Sequence, residues 1–210
     1  MARYCFFILA VGFYLFAALH QIRSAAADEP KQTPENTISV QLAAPVKPQT
    51  FPRPINFYVV NVIDRTGDPR PMLVSEGRGG IFFDRDRTAI VRQALEDSLR
   101  AAGLLAPDEA SADFLLTVYL FHFGLAEGSG WETFSKMDMN VVVKSRSTGK
   151  SQEVPALGTS IEQTALRKKN IMKRTQASLE EALQGALRNF LRGVKLREAI
   201  ETLSAAAPQS

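Results

Sequence analysis

Residues 114–123, FLLTVYLFHF, decide the fold of this chain. The stretch contains no Asp, Glu, Lys or Arg, is rich in leucine, aromatic and β-branched side chains, and has the length of a β-strand. Apolar side chains occupy both its odd and its even positions, and residues 55–64, INFYVVNVID, show the same pattern. The two segments therefore predict strands that are apolar on both faces, as in the centre of a sheet covered on both sides.

Two further strands follow in the sequence. Over residues 136–144 the apolar Met137, Met139, Val141 and Val143 alternate with the polar Lys136, Asp138, Asn140 and Lys144, which predicts a strand with one face in water. A turn at residues 147–150 leads to a more polar strand over residues 152–165, where Pro155 and Gly158 favour a place at the sheet edge.

The helical signals lie before and after these strands. Asp84 is the expected N-cap of a helix with a carboxylate, Asp86, in its first turn and a glycine, Gly103, just past its end. Thr175 or Ser178 is expected to open a long helix, and a short helix over residues 195–203 follows it. The order predicts an α+β fold: an antiparallel sheet of about four strands with two long helices packed on one face, in the order β-α-β-β-β-α.

The first 27 residues predict export. A basic residue, Arg3, precedes an apolar run that ends in small residues at 24–27, so residues 1–27 are expected to form a signal peptide cleaved after Ala27. Retention as a membrane anchor is the alternative. Residues 28–54 carry spaced prolines and predict a flexible tether, residues 55–203 a single α+β domain, and residues 204–210 a disordered tail. The expected location is the periplasm or the cell envelope.

Composition excludes several functions. The formal charge of +3 falls further once the basic leader is removed, so we expect no nucleic-acid binding. Cleavage also removes the one cysteine and one of the two histidines, which leaves His122. We therefore expect no cofactor, no metal and no enzymatic activity. A carboxylate-based hydrolase is the weaker alternative, and its candidate residues are Asp64, Asp68, Glu76, Asp84 and Asp86.

The same order of elements and several local sequences resemble the YajG-like family of bacterial envelope lipoproteins. The matching stretches are Asp64-Arg65 at a strand end, Ala101-Ala102-Gly103-Leu104 at a helix end, Ala112-Asp113 before the apolar strand, and residues 187–191 and 194–200 in the closing helices. The resemblance covers residues 55–203 and implies an envelope protein, with no catalytic residues to carry over. Members are held at the membrane by a lipidated cysteine, whereas Cys5 lies before the apolar run. A periplasmic or secreted form is the expectation.

Two surfaces are predicted to contact partners. If both helices cover one face of the sheet, the other face exposes an apolar surface that residues 72–83 could cover as a flap. The residues predicted for a partner or ligand surface are Tyr58, Phe82, Phe83, Tyr119, Phe121 and Phe123. The residues predicted to contact an anionic surface, with a solvated loop as the alternative, are Arg167, Lys168, Lys169, Lys173 and Arg174.

These features predict a non-enzymatic exported protein that serves as an interaction or assembly module of the cell envelope. Its expected partner is another envelope protein or a second copy, and anionic lipid or the membrane surface is a further expected contact. The alternative is a periplasmic binding protein that holds a hydrophobic or lipid-like ligand between the flap and the sheet.

Overall fold

The computed structural model describes residues 32–67, 72–74, 80–127, 133–162 and 171–205. Several predicted features lie outside these ranges. They are the signal peptide at 1–27, the tip of the predicted flap at 75–79, the basic residues Arg167, Lys168 and Lys169, and all but the first two residues of the predicted tail.

Seven strands, three α-helices and one short 3-10 helix (Pro34–Asn36) make up the described fold. The strands are β1 (Thr37–Ile38), β2 (Phe57–Asp64), β3 (Met72–Val74), β4 (Gly80–Phe83), β5 (Phe114–Glu127), β6 (Thr133–Ser145) and β7 (Ser151–Glu162). The helices are α1 (Arg87–Ala101), α2 (Ile171–Arg192) and α3 (Val194–Ala205). The predicted α+β class and the order of its main elements are confirmed.

The main sheet has four strands in the order β2-β5-β6-β7. The pairs β5–β6 and β6–β7 are antiparallel, as expected, but β2 and β5 run parallel. Helix α1 lies between β2 and β5 in the chain, and a helical crossover returns the chain to the same end of the sheet. A second, three-stranded sheet has the order β1-β4-β3.

The hydrophobic core lies between one face of the main sheet and the helices. Alternate residues of β5 and β6, such as Leu116, Val118, Met139 and Val141, are fully buried there. The apolar stripes of α1 and α2 cover this face, which confirms the prediction that both long helices pack on the same side. The remaining face of the sheet carries no helix of the described chain.

The helix starts differ from the local predictions. Asp86, not Asp84, is the N-cap of α1, because its carboxylate accepts a hydrogen bond from the Thr88 N–H. Helix α2 begins at Ile171, before both predicted starts. Ser178 therefore lies inside the helix, where its hydroxyl donates to Ser135 on β6 instead of capping a helix end.

Residues 32–54 pack against the domain. Thr37–Ile38 pairs in parallel with Phe82–Phe83, and Ile38, Val40 and Val46 are buried in the core. The proline spacing predicts an extended chain here, and the structure has one. The structure differs from a free tether because alternate apolar side chains give the extended segment a face to bury.

Two β-bulges change which residues face the core. The register shifts between Val59 and Asn61 on β2 and between Leu120 and His122 on β5. One extra residue reverses the side on which every later side chain lies. Val62 and Phe123, expected on the uncovered face by simple alternation, are consequently buried in the core. The expectation that β2 is a central strand is also wrong, because β2 forms one edge of the sheet.

Candidate functional site

The uncovered face of the main sheet is the candidate site, and we call it the open face. Apolar side chains on all four strands line it, and three of them are markedly exposed: Val60 by 40%, Phe121 by 50% and Leu157 by 46%. Half-buried residues lie between them, and these include Tyr58, Ile63, Leu115, Tyr119 and Val142. These exposures exclude close cover by any described part of the chain.

The structure divides the predicted partner surface. Tyr58, Tyr119 and Phe121 lie on the open face. Phe82, Phe83 and Phe123 are buried, and the rings of Phe83 and Phe123 stack with centroids 5.2 Å apart. Residues 72–74 and 80–83 do form the two arms of a hairpin, as predicted. Phe83 belongs to the core side of the sheet, so this arm does not cover the open face.

Polar groups are interspersed among the apolar side chains of the open face. Lys136 and Asp138 pair at 3.2 Å, and the Asn140 amide donates to the Glu153 carboxylate at 2.6 Å across the β6–β7 pair. The Arg65 guanidinium lies 5.8 Å from the centroid of the Tyr119 ring. The Oδ1 atom of Asn140 is buried and has no hydrogen-bond partner among the described residues. The face thus presents both signs of charge.

The outer edge of β2 is closed by the chain itself. The Phe57 N–H donates to the Leu104 carbonyl, and the Phe57 carbonyl accepts from the Ala106 N–H. Further along, Arg92 on α1 donates to the carbonyls of Val59 at 2.9 Å and Val60 at 3.0 Å. Over residues 57–60, backbone groups that an added strand would need are therefore already engaged.

The outer edge of β7 is closed in part. The Leu157 carbonyl accepts a hydrogen bond from the side chain of Asn189 on α2, so the backbone carbonyl of Leu157 points away from β6. Alternate residues of a strand point the same way, which places Pro155 at the outer edge, where its missing N–H breaks no ladder bond. The prediction of β7 as an edge strand is confirmed, and Asn189 and Pro155 interrupt its outer edge near the middle of the strand.

His122 sits beside the open face, paired in register with Asp138. Burial lowers the pKa of its imidazole, and the nearby Lys136 ammonium lowers it further, against a backbone hydrogen bond at Gly124 and the Asp138 carboxylate. Its Nε2 atom is buried and has no hydrogen-bond partner among the described residues. The environment favours a neutral imidazole.

The carboxylates considered for hydrolysis have other contacts where the structure describes them. Asp64 pairs with the buried Arg87 at 3.3 Å and accepts from the Thr66 N–H. Asp86 caps α1, and Asp84 lies 4.0 Å from Arg85, while Asp68 and Glu76 lie outside the described residues. Within the described ranges, no three His, Cys, Asp or Glu side chains come together as a metal site would require.

The predicted basic surface is described only at its C-terminal end. Lys173 and Arg174 lie exposed in the first turn of α2 and not in a loop before it. Contact with an anionic surface stays a prediction. None of the helices in the described ranges has both the length and the hydropathy of a membrane span.

Solved structures share this fold at low sequence identity. A protein from Xanthomonas campestris assigned to family model DUF330 matches with a TM-score of 0.62 and 10% identity over 79% of this chain and 98% of its own. An uncharacterized protein matches with a TM-score of 0.51 and 11% identity over 76% of this chain and 98% of its own.

A looser match is a minor lipoprotein from Acinetobacter baumannii, with a TM-score of 0.37 and 11% identity over 65% of this chain and 92% of its own. Neither a family model nor a curated protein matches the sequence. At these identities the comparisons establish the fold, which this chain shares with the DUF330 protein.

Proposed function

We propose that this protein is an exported, non-catalytic envelope protein of the YajG-like type that binds another protein through the open face of its sheet. The bound protein is another envelope component or a second copy of the chain. The observation that carries the proposal is the exposure of Phe121, Val60 and Leu157 on a sheet whose opposite face is fully packed. Exposed aromatic and aliphatic side chains set among polar groups are typical of protein interfaces.

The choice of the face over the edges rests on hydrogen bonding. Addition of a strand requires a row of available N–H and C=O groups. Arg92 and residues 104–106 engage the row on β2 over residues 57–60, and Asn189 with Pro155 interrupts the row on β7. The face needs no backbone partner, since its side chains alone provide aromatic and aliphatic contact area.

The mixed character of the face favours a protein over a lipid surface. Lys136, Asp138, Lys144 and Glu153 place both charges among the apolar side chains, whereas an anionic membrane attracts an excess of basic residues. The alternative is a lipid-like ligand between the hairpin and the sheet. Part of the space that such a ligand would need is already filled, because the Phe83 ring stacks directly on the Phe123 ring.

The test compares substitutions on and off the open face. The tagged protein is followed by size-exclusion chromatography in gentle extracts of cells that make it, as wild type, Phe121→Asp and Val194→Asp. Val194 is the matched control, because it is 67% exposed at the start of α3. We expect the wild type and Val194→Asp to elute in an assembly and Phe121→Asp to elute as a monomer.

Circular dichroism first establishes that all three proteins are folded. Light scattering of the purified wild type then distinguishes a second copy from a different partner. A monomeric wild type in the extract, or an assembly that Phe121→Asp leaves intact, would contradict the proposal.

A further inference from the structure

The junction between helices α2 and α3 carries the most exposed large apolar side chain among the described residues. Val194 begins α3 directly after Gly193 and is 67% exposed. The other markedly exposed apolar side chains, Val60, Phe121 and Leu157, all lie on the open face. The exposure of Val194 therefore calls for an explanation of its own.

Exposed basic side chains flank Val194 in the chain. Arg188 and Arg192 lie one turn apart on α2 and share one face of the helix, and Lys195 follows Val194 in α3. None of the three basic side chains forms an ion pair within the described ranges. We call residues 188–197 the basic elbow, and this stretch contains no Asp or Glu.

The extended N-terminal segment holds the basic elbow in place. The Gln49 N–H donates to the Leu191 carbonyl at 3.0 Å, and the Gln49 side chain donates to the Gly193 carbonyl at 3.2 Å. These bonds engage carbonyls whose negative partial charge would otherwise meet an approaching anion at the end of α2. The exposed Lys47 lies two residues before Gln49, in a stretch, residues 36–63, without Asp or Glu.

The acidic residues on either side of the basic elbow leave it positively charged. Glu181 precedes it, and its carboxylate accepts a hydrogen bond from the Ser160 hydroxyl. Glu198 and Glu201 follow it on α3 and form no ion pair with Lys195. The basic elbow is thus a positive surface with an apolar side chain at its centre.

This combination favours lipid over an acidic protein as the partner. A protein interface has a desolvated apolar core inside its polar rim, and a single valine is too small to form one. Adsorption to an anionic bilayer needs only a few basic residues at the level of the headgroups and an apolar side chain that enters the interface.

We propose that the basic elbow binds an anionic lipid surface, with Val194 inserted at the headgroup level and Arg188, Arg192 and Lys195 beside the lipid phosphates. The contact is weak and reversible, because few residues make it. Helices α2 and α3 pack on the core face of the sheet, so the basic elbow and the open face lie on opposite sides of it. Lipid and a protein partner can therefore be bound together.

The test measures how the purified protein, in the form in which cells accumulate it, partitions onto lipid vesicles. Co-sedimentation is compared between vesicles of phosphatidylcholine and vesicles that also contain phosphatidylglycerol. We expect at least about tenfold stronger binding to the anionic vesicles, since several basic residues contribute at once. Raising the salt from about 0.1 M to about 0.5 M should remove most of this difference, because salt shortens the Debye length.

Paired variants locate the contact. The double change Arg188→Gln/Arg192→Gln is expected to weaken binding to the anionic vesicles about tenfold or more. Lys173→Gln/Arg174→Gln is the matched control, because it removes the same charge from the first turn of α2, about 28 Å along the helix from Arg192. It should leave the affinity unchanged. Circular dichroism establishes that each variant is folded.

Two changes at Val194 separate insertion from attraction by charge alone. Val194→Leu adds one methylene and should strengthen binding to the anionic vesicles by up to about fourfold. Val194→Asp should weaken it, because a carboxylate is repelled by the lipid phosphates.

The proposal is overturned if the protein does not prefer anionic vesicles, or if the Lys173 and Arg174 changes weaken binding as much as the Arg188 and Arg192 changes. Unchanged binding in Val194→Leu would also contradict it, because the valine would then stay outside the lipid. A protein adduct formed by a photoreactive residue at position 194 would assign the basic elbow to a protein partner instead.

Discussion

Arg92 on helix α1 donates a hydrogen bond to the backbone carbonyl of Val59 at 2.9 Å. The same guanidinium donates a second hydrogen bond to the Val60 carbonyl at 3.0 Å. Val60 lies at the bulge, and both its carbonyl and that of Val59 face Arg92. One side chain thus engages two carbonyls that the edge strand β2 would otherwise present to another chain. These contacts are one reason why the proposed partner contact is the open face and not this edge.

Arg92→Leu should destabilise the fold and expose the β2 edge. The loss of two charge-assisted bonds at a half-buried position is expected to lower the free energy of unfolding by about 1–2 kcal/mol, measured by urea denaturation. Light scattering should show slow aggregation of the variant, because unpaired carbonyls favour strand addition.

The control for this prediction is Arg100→Leu on the same helix. Arg100 makes an exposed ion pair with Asp97, so its loss should change the unfolding free energy by less than about 0.5 kcal/mol. Equal unfolding free energies of the Arg92 and Arg100 variants would show that the hydrogen bonds from Arg92 to the β2 carbonyls do not stabilise the fold.

Gly158→Ala should separate helix α2 from strand β7. A Cβ at Gly158 would overlap the carbonyl oxygen of Ala182 and the backbone nitrogen of Ala186. The strain should reduce the unfolding free energy by about 2–3 kcal/mol. Thr159→Ala, at the exposed neighbouring position, should be close to neutral, and a Gly158→Ala protein as stable as wild type would argue against this close packing.

Asp86→Ala should weaken the start of helix α1. The hydrogen bond from the Thr88 hydroxyl, then those from the Thr88 and Ala89 backbone, hold the Asp86 pKa below its ordinary 3.8. The stabilisation is therefore present above the unfolded-state pKa and is lost as the pH falls through the lower folded-state pKa.

At neutral pH the Asp86→Ala change should cost about 1 kcal/mol of unfolding free energy. The difference between wild type and variant should shrink in strong acid. A difference that stays constant down to pH values below both pKa values would exclude the carboxylate cap as its source.

His122 should make the fold less stable in mild acid. Burial, followed by the Lys136 ammonium, holds the pKa of His122 below its ordinary 6.5, so the unfolded chain takes up a proton at a higher pH than the folded one. Stability is expected to fall as the pH drops below the unfolded-state value and to level off beneath the folded-state pKa.

The measurement is the unfolding free energy at about pH 7.5 and pH 5, for wild type and for His122→Gln. The glutamine variant lacks the titrating group and should lose less stability over this interval. Equal losses in the two proteins would assign the pH dependence to other residues.

Much of the fold could be predicted from local patterns. The alternation over residues 136–144 predicted β6 and its buried face, and Gly103, with a φ of +69°, ends α1 where the sequence places a C′ glycine. Alternation along a strand and a glycine at a helix end depend only on residues close together in the sequence. The sequence alone is therefore sufficient to predict them.

The bulges could not be predicted, and the composition of the site depends on them. The apolar strand carries aromatic residues at both Phe121 and Phe123, and simple alternation assigns them to one face. The shift between Leu120 and His122 buries Phe123 and leaves Phe121 exposed, because pairing with β6 decides the register.

The closed edges and the basic elbow were missed for a related reason. Arg92 and Asn189 are unremarkable residues on helices, and only tertiary packing brings them to backbone carbonyls of the two edge strands. Gln49 and Gly193 are also far apart in the sequence, so the sequence does not show that the N-terminal segment contacts the basic elbow.

Site-specific photo-crosslinking in living cells tests whether the open face contacts another protein. A photoreactive phenylalanine analogue is placed at position 121 or 157 on the open face, and at position 194 as the exposed control. We expect a discrete protein adduct from positions 121 and 157 and none from position 194, with the adduct mass identifying a second copy or another protein. Equal labelling at all three positions, or no adduct from the open face, would contradict it.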